Sequence, residues 1–263
     1  MRIISGDYRR RKLTGPPDAE TTRPIPDRVK LALFNMLRGY TEDAKVFDCF
    51  AGTGSIGLEA VSLGASKCVF VERDKKILEI LQRNIDHLGV ADRVEVVRGD
   101  ALGPMALARC PDPADLIFMD PPYALVYEAE GWERVRTQAT KLAQKLSTEG
   151  WMMVRTPWPF TFRPEVRVPD ENAPEAVIEI DLDADDADDE LDAFEAEVAR
   201  AAANARPIDA ELKLPGVLGP ETHVYRNTAI HLYQIDTDPD PDPDAGPEPD
   251  LTPDPAQSSV PDA

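Results

Sequence analysis

The feature that most constrains the fold is a regular alternation of short apolar runs and amphipathic segments between residues 45 and 155. The apolar runs cover residues 45–50, 67–72, 94–97, 115–120 and 151–154. Parallel strands are buried on both faces and are joined by crossover helices, so this pattern predicts a mostly parallel sheet with helices on both faces. Within it, the apolar spacing predicts helices at 75–88 and at about 133–146. We therefore expect an α/β fold with a Rossmann-like sheet.

The net charge of −20 is unevenly distributed along the 263 residues. Residues 1–168 contain 25 Lys and Arg against 23 Asp and Glu, whereas residues 169–212 contain 2 against 16. Residues 236–263 contain no Lys or Arg and 9 Asp and Glu. The acidity of the whole chain therefore does not exclude a nucleic-acid partner for the first 168 residues.

This charge pattern also predicts the domain organisation. The acidic segment 169–212, in which 181–206 has weak helical periodicity, looks like an insertion, because the strand-like run Thr228–Ile235 follows it. The main α/β domain should then comprise residues 39–168 and 213–235. The Pro/Asp-rich tail 236–263 is predicted to be disordered, since it has too few large apolar residues to offset chain entropy.

Residues 1–38 form a basic N-terminal extension in this interpretation. Asp27 is expected to cap a helix whose apolar face contains Val29, Leu33 and Phe34. The first dozen residues contain a cluster of cations, and the candidates for RNA phosphate contacts are Arg9, Arg10, Arg11 and Lys12. In most proteins such a cluster would be an ordinary solvated face; Arg28 and Lys30 on the following helix favour phosphate contacts here.

Other sequence features predict where the protein does not act. No apolar run is long enough to cross a bilayer, and the first residues have no apolar secretory segment. The three cysteines lack metal-ligand spacing, and they are interpreted as small buried hydrophobic residues in a reduced compartment. The expectation is a cytoplasmic protein, a monomer, with no metal and no membrane partner.

A glycine motif lies between the first apolar run and the next amphipathic segment. Gly52, Gly54 and Gly57 form G-x-G-x-x-G, which allows a tight turn and lets a ligand approach the backbone at a helix N-terminus. Alone, the motif is compatible with a simple strand–helix turn. Glu72 ends the second strand 20 residues after Gly52, where a carboxylate can accept the hydroxyls of a ribose. Together they predict a cofactor that contains a nucleoside.

Two further carboxylates narrow the choice of cofactor. Asp48, four residues before Gly52, would repel a pyrophosphate but suits the α-ammonium and sulfonium of S-adenosylmethionine. Asp100, after the third strand, is placed to accept a hydrogen bond from an adenine amine. A solvated turn or a helix cap is an equally good interpretation of Asp100.

The fourth strand ends in Asp120-Pro121-Pro122-Tyr123, which has the composition of a clamp for a planar amine. The prolines stiffen the loop and fix the directions of the neighbouring carbonyl groups. Asp120 and the carbonyl of Pro121 would accept the two N–H groups of the amine, and Tyr123 would stack on the ring. The alternative is a rigid turn with a surface tyrosine; the position at a strand end beside the expected cofactor site favours the clamp.

With these motifs, the chain resembles the bacterial 16S ribosomal RNA (guanine 2-amino) methyltransferase family. The resemblance covers residues 1 to about 160 and a last strand at 225–233, and it departs from the family at Cys49 and Asn227. It implies a seven-stranded sheet with only the last strand antiparallel. It also implies methyl transfer from S-adenosylmethionine to the 2-amino group of a guanine, with the 30S subunit or its assembly intermediate as partner. Arg23 and Asn35 match the family's N-terminal motif, which implies that Arg23 lies near the target RNA and Asn35 near the methionine end of the cofactor.

Two other functions stay open at this point. A DNA adenine-amine methyltransferase could use the same Asp-Pro-Pro-Tyr motif, although such enzymes usually carry a sizeable target-recognition domain. A ribosome-assembly factor could bind RNA or cofactor without turnover, but the intact motif from Asp120 to Tyr123 argues against it.

Overall fold

The computed structural model describes residues 1–16, 25–162 and 208–237. Seven strands form the main sheet, and two more form a small second sheet. The strands are β1 Lys45–Asp48, β2 Lys67–Glu72, β3 Val94–Arg98, β4 Ala114–Met119, β5 Leu146–Pro157, β6 Thr161–Phe162, β7 Ile208–Asp209, β8 Val217–Tyr225 and β9 Thr228–Ile235. The helices are α1 Asp27–Met36, α2 Gly57–Ser62, α3 Lys75–Leu88, α4 Pro104–Arg109, α5 Tyr123–Val126 and α6 Ala129–Ala143.

The main sheet has the order β3-β2-β1-β4-β5-β9-β8. The first five strands in this order pair in parallel, and β9 is antiparallel to both β5 and β8. Only β9 therefore runs against the other six. This confirms the prediction of a Rossmann-like α/β sheet in which Thr228–Ile235 is the reversed strand.

One strand of the sheet was not predicted from the sequence. Strand β8 lies beyond β9, and most of its residues are exposed or half-buried, so it lacks the apolar run that revealed the central strands. It also contains Gly219-Pro220, a pair typical of turns, at a shift in its pairing register between Leu218 and Glu221. Pairing with β9 overrides this weak local signal.

The predicted helix boundaries agree with the structure where the amphipathic pattern is strong. Helix α3 spans the predicted residues, whereas α6 begins four residues earlier than expected and ends before Leu146. The predicted capping role of Asp27 is wrong. Pro26 is the residue that precedes α1, and Asp27 is the first helical residue, where its carboxylate pairs with Arg2 at 3.0 Å.

The N-terminal residues are part of the main core rather than a separate extension. Arg2 and Lys12 form an antiparallel bridge, and Ile3 and Leu13 pack in the same hydrophobic cluster as residues of β1 and β2. The cluster contacts α2 through Glu59, which accepts hydrogen bonds from the backbone N–H groups of residues 4 and 5. Residues 2–12 thus form an N-terminal hairpin that packs against the sheet. This packing fixes the position of the exposed residues Arg9, Arg10, Arg11 and Lys12, which form the basic face.

The remaining domain predictions are only partly within the described residues. The end of the acidic segment forms β7, which pairs with β6 immediately after β5. Arg23, the predicted helix at 181–206 and nearly all of the tail lie outside the residues that the structure describes. None of the helices in the described part is long and apolar enough to cross a membrane.

Candidate active site

A cavity of about 880 Å³ lies at the carboxyl ends of β1, β2 and β4. Parallel α/β sheets bind ligands at this edge, where the strand order reverses. Its volume lies in the upper part of the range of small-molecule sites, about 300–1,000 Å³. The predicted site residues that line it are Gly52, Glu72, Asp100, Asp120, Pro121, Pro122 and Tyr123.

The glycine motif divides into one residue at the cavity and two that allow packing. Gly52 lines the cavity with a positive φ of 54°, and a side chain built there would meet nothing within 4 Å. At Gly54 a Cβ would lie 2.6 Å from Leu81, and at Gly57 it would lie 2.3 Å from the Phe70 ring. Neither Gly54 nor Gly57 lines the cavity. Of the three glycines, only Gly52 therefore leaves open space for a ligand.

Asp48 is buried beneath the glycine turn rather than on the cavity wall. Its Oδ2 accepts a hydrogen bond of 2.9 Å from the Gly57 N–H, and its Oδ1 is buried without a hydrogen-bond partner among the described residues. Burial raises the pKa of this carboxyl to about 7; the Gly57 N–H opposes the rise, and the charges of Asp120 and Glu72 add to it. Asp48 holds the glycine turn in place through its hydrogen bond with Gly57. When ionised, it acts on the cavity only electrostatically, because it does not line the cavity wall.

Glu72 is held rigidly at the end of β2. Its Oε2 accepts a hydrogen bond from the Gly52 N–H at 3.0 Å, and its Oε1 accepts from the N–H groups of Arg73 and Asp74 at 2.8 Å each. A carboxylate has about four lone-pair positions, so three backbone donors leave one for a ligand. This geometry orients the carboxylate toward the cavity that it lines.

Asp100 makes the local turn contact that was one of the two interpretations considered for it. Its Oδ1 accepts a hydrogen bond from the Leu102 N–H at 3.0 Å, which is a local turn contact. Its Oδ2 lies 3.9 Å from Arg134, with both side chains about half exposed. Asp100 also lines the cavity, so the turn contact fixes its backbone and leaves its outer oxygen at the rim.

Asp120 forms a buried ion pair that the sequence did not reveal. Arg155 of β5 donates from Nε to Asp120 Oδ1 at 2.5 Å and from Nη2 to Oδ2 at 3.0 Å. The two side chains are 12% and 7% exposed. Burial raises the pKa of the Asp120 carboxyl above its ordinary value, and the Arg155 guanidinium opposes that rise. Arg155 lines the cavity, but an isolated arginine in an apolar strand gives no motif.

Tyr123 is held by the end of β5 and the start of β9. Its hydroxyl donates a hydrogen bond to Thr228 Oγ1 at 2.7 Å and lies 3.3 Å from the Thr156 carbonyl oxygen. The Arg155 guanidinium lies 5.3 Å from the centre of the Tyr123 ring. Strand β5 therefore fixes both ends of the Asp120–Tyr123 loop, and β9 also holds Tyr123, which leaves the prolines between them as a rigid wall of the cavity.

Two rim residues were also missed by the sequence reasoning. Tyr127 is 57% exposed and lines the cavity, with its ring in an edge-to-face contact with Tyr123 at 6.0 Å between centroids. Arg134 of α6 also lines the cavity, beside Asp100. An aromatic residue four positions after Tyr123 is the only signal that could have pointed to Tyr127.

The predicted RNA-binding residues that the structure describes lie on the surface and not in the cavity. Arg9, Arg10, Arg11, Lys12 and Arg28 are all exposed. Arg11 is partly engaged, because it donates to the His87 carbonyl at 3.2 Å and lies over the Tyr8 ring. Lys12 lines a second, open cavity that shares Ile25 with the main one. Lys12, at the end of this basic cluster, thus lies beside the main cavity.

Three sequence-based interpretations of single residues can be compared with the structure. Lys30 is buried against Glu59 at 2.9 Å, so its suggested contribution to phosphate binding is wrong. Asn35 is exposed on α1 and does not line the cavity, and its predicted cofactor role is untested. The cysteines are all free and buried, as expected. Within the described ranges, no group of side chains could hold a metal ion.

The family assignment comes from sequence comparison. The sequence model of the family described as conserved hypothetical protein 95 matches residues 1–161. The chain belongs to this family. The matched range contains the glycine turn, Glu72, Asp100 and the whole loop from Asp120 to Tyr123.

Two curated proteins similar to this chain are named as ribosomal RNA methyltransferases. The chain is 38% identical over 124 residues to "Putative rRNA methyltransferase YlbH" of Bacillus subtilis, an alignment that covers 47% of this chain and 67% of the relative. It is 40% identical over 123 residues to "Ribosomal RNA small subunit methyltransferase D" of Escherichia coli K12, covering 47% of this chain and 60% of the relative. The chain therefore aligns with about 60–67% of the length of these relatives.

A solved structure shows the same fold. "Putative methyltransferase yhhF" from Escherichia coli superposes with a TM-score of 0.57 at 24% identity, covering 89% of this chain and 97% of that one. Methyltransferase relatives and a methyltransferase fold imply S-adenosylmethionine as the cofactor. The open space at Gly52, the oriented Glu72 carboxylate and the size of the cavity fit that molecule.

Proposed function

We propose that this protein transfers a methyl group from S-adenosylmethionine to the exocyclic 2-amino group of a guanine in small-subunit ribosomal RNA. The observation that carries the proposal is one cavity lined both by Glu72 with the glycine turn and by the loop from Asp120 to Tyr123. The name of the Escherichia coli relative supports the choice of small-subunit ribosomal RNA. The choice of the guanine amine rests on the resemblance of the motifs.

The cofactor half of the cavity would hold S-adenosylmethionine through polar groups already in place. Glu72 would accept a hydrogen bond from a ribose hydroxyl at its remaining lone-pair position, and Asp100 would accept one from the adenine amine at the rim. Asp48 would place negative charge beneath the turn as the pH rises through its pKa of about 7, and this charge favours a cationic ligand. The cofactor supplies an electrophilic methyl group on its sulfonium.

The substrate half would orient the amine. The lone pair of the guanine 2-amino nitrogen is delocalised into the ring, so the group is a poor nucleophile. Asp120 and the Pro121 carbonyl would accept its two N–H groups and turn the lone pair toward the methyl group, while Tyr123 stacks on the base. Fixing this alignment can contribute about 7–11 kcal/mol through effective molarity.

RNA would approach across the exposed basic face, whose Lys12 lies beside the cavity. Contacts from Arg9, Arg10, Lys12 and Arg28 to phosphates would carry affinity without sequence information. Arg23 is proposed to reach the same RNA, and Asn35 to act near the methionine end of the cofactor. Tyr127 at the cavity mouth is placed to stack on an unpaired base, since stacking on aromatic side chains is how proteins hold splayed RNA bases.

A methylation assay separates the candidate functions. Labelled S-adenosylmethionine is supplied with 30S subunits, naked 16S RNA or adenine-containing DNA duplexes, and the product nucleosides are separated by chromatography. N2-methylguanosine formed on 30S subunits is expected. N6-methyladenine on DNA would replace the proposal with the DNA methyltransferase alternative. Tight cofactor or RNA binding without any methylated product would favour a non-catalytic assembly factor.

A further inference from the structure

Arg155 is the one buried cation that contacts the loop from Asp120 to Tyr123 within the described residues. It lies near the end of β5, where its neighbours across the sheet belong to β9. Its Nε donates to one carboxylate oxygen of Asp120 and its Nη2 donates to the other. Such a bidentate fork fixes the plane of the carboxylate as well as its position.

The hydrogen-bonding capacity of Asp120 matters for an amine substrate. An ionised carboxylate only accepts hydrogen bonds, whereas a protonated one carries an O–H donor. A protonated Asp120 would present that donor to the N–H groups of the amine, and two donors repel. Arg155 occupies about two of the four lone-pair positions, which leaves about two that can accept from a substrate.

We propose that Arg155 is a positioning residue that keeps Asp120 an oriented, acceptor-only carboxylate and thereby makes the site selective for amine donors. This inference rests on the proposed function for the identity of the amine. Arg155 acts through Asp120 and does not itself contact the amine. The cation–π contact with Tyr123 lets the same guanidinium fix the ring on which the base stacks.

The charged and titratable groups around Asp120 come from three elements. Arg155 lies on β5, Tyr123 begins α5, and Asp48 ends β1. Burial favours the protonated form of the Asp120 carboxyl and so raises its pKa, and Arg155 opposes this rise. Without Arg155, the ionised form of Asp120 should become populated only at higher pH, so at neutral pH one carboxyl oxygen should carry a proton and donate instead of accepting.

The test compares Arg155→Met and Arg155→Lys with the wild-type chain between pH 6 and 8.5. With S-adenosylmethionine saturating at every pH, so that titration of Asp48 does not limit cofactor occupancy, the wild type should show a kcat that is flat over this range. Arg155→Met should lose about 10²-fold in kcat at pH 7, because the carboxylate is no longer held in place, and its kcat should rise with pH. Its KM for RNA should stay within a few-fold. Arg155→Lys restores charge without the fork, so it should recover the flat profile but only part of kcat.

Three results would overturn the inference. They are a wild-type kcat that rises steeply with pH, an Arg155→Met variant with the wild-type rate and profile, and an Arg155→Lys variant with full kcat. Thermal melting and cofactor binding identify a variant that has only unfolded. If Arg155→Met has unfolded, the pH profile of the wild type and the kcat of Arg155→Lys still test the inference.

A measurement without turnover keeps this inference separate from the proposed function. Carbon-13 NMR of labelled aspartate follows the titration of Asp120, assigned by its loss in Asp120→Asn. Removing Arg155 should raise this titration midpoint by about 1–3 pH units. An unchanged midpoint would refute the role of Arg155 even if no guanine methylation is found. A raised midpoint without methylation would refute only the proposed function.

Discussion

Two buried ion pairs in this protein have different surroundings. Lys30–Glu59, between α1 and α2, is sealed, with both side chains only 1% exposed. Glu59 also accepts from the Ile4 and Ser5 N–H groups, and Lys30 donates to the carbonyls of Arg2 and Ser55. Arg155–Asp120, by contrast, lines the main cavity.

The difference lies in what remains available to a ligand. The acceptor positions of Glu59 are filled by the protein, so the pair can only anchor the N-terminal hairpin to α2. About half of those of Asp120 are free and lie at the cavity. Burial of an ion pair therefore does not mark a functional site; unfilled hydrogen-bonding capacity at a cavity does. The following variants test this distinction, from the largest expected effect to the smallest.

Breaking the sealed pair should have the largest effect on stability. Glu59→Ala leaves Lys30 buried without its counter-ion and two backbone N–H groups without their acceptor. The free energy of unfolding should fall by about 3–5 kcal/mol, measured by urea denaturation. Glu59→Gln keeps an acceptor for the N–H groups and should lose less. Equal stability of Glu59→Ala and the wild type would show that the hairpin is held by its apolar contacts alone.

Breaking the cavity pair on its carboxylate side should affect catalysis rather than cofactor affinity. Asp120→Ala removes the acceptor for the amine, so kcat should fall by at least about 10²–10³-fold. Calorimetry should show a dissociation constant for S-adenosylmethionine within a few-fold of the wild type. Lost cofactor affinity together with normal turnover would place Asp120 in the cofactor half of the cavity.

Glu72 should show the opposite pattern. Glu72→Ala removes a charge-assisted hydrogen bond to the ribose, and cofactor binding should weaken by about 1.5–3 kcal/mol. Because Glu72 also holds the Gly52 N–H, Glu72→Gln serves as the matched control that keeps an acceptor near the turn. If calorimetry finds the same dissociation constant for all three proteins, the ribose binds elsewhere.

Deleting residues 238–263 should have the smallest effect. Their charge is repelled by RNA, so they should contribute nothing to RNA binding, and methylation of 30S subunits should be unchanged. The truncation keeps Asp236, whose N–H bonds to the Gly216 carbonyl. An RNA-mimic role predicts instead that truncation tightens RNA binding, most strongly at low salt. Filter binding of both proteins at two salt concentrations distinguishes the two.

The sequence predicted the parts of the fold and site that depend on local pattern. Strand β9 and helix α3 were visible because their apolar spacing matches their burial, and the loop from Asp120 to Tyr123 was visible as a contiguous motif. Strand β8 was not, because its place depends on pairing with β9. Arg155 was missed because its function depends on a contact across 35 positions of the chain. Lys30 was misjudged for the same reason, since only the folded chain brings it to Glu59.

The irregularity in β8 has a consequence for solubility. No strand in the described part of the chain pairs with the outer side of β8, so this side presents backbone groups that could template a strand of another molecule. Pro220 removes one donor from that row, and the register shift between Leu218 and Glu221 bends the strand locally. A sheet edge interrupted in this way resists the growth of intermolecular sheets even though Leu218 and Val224 are exposed on it.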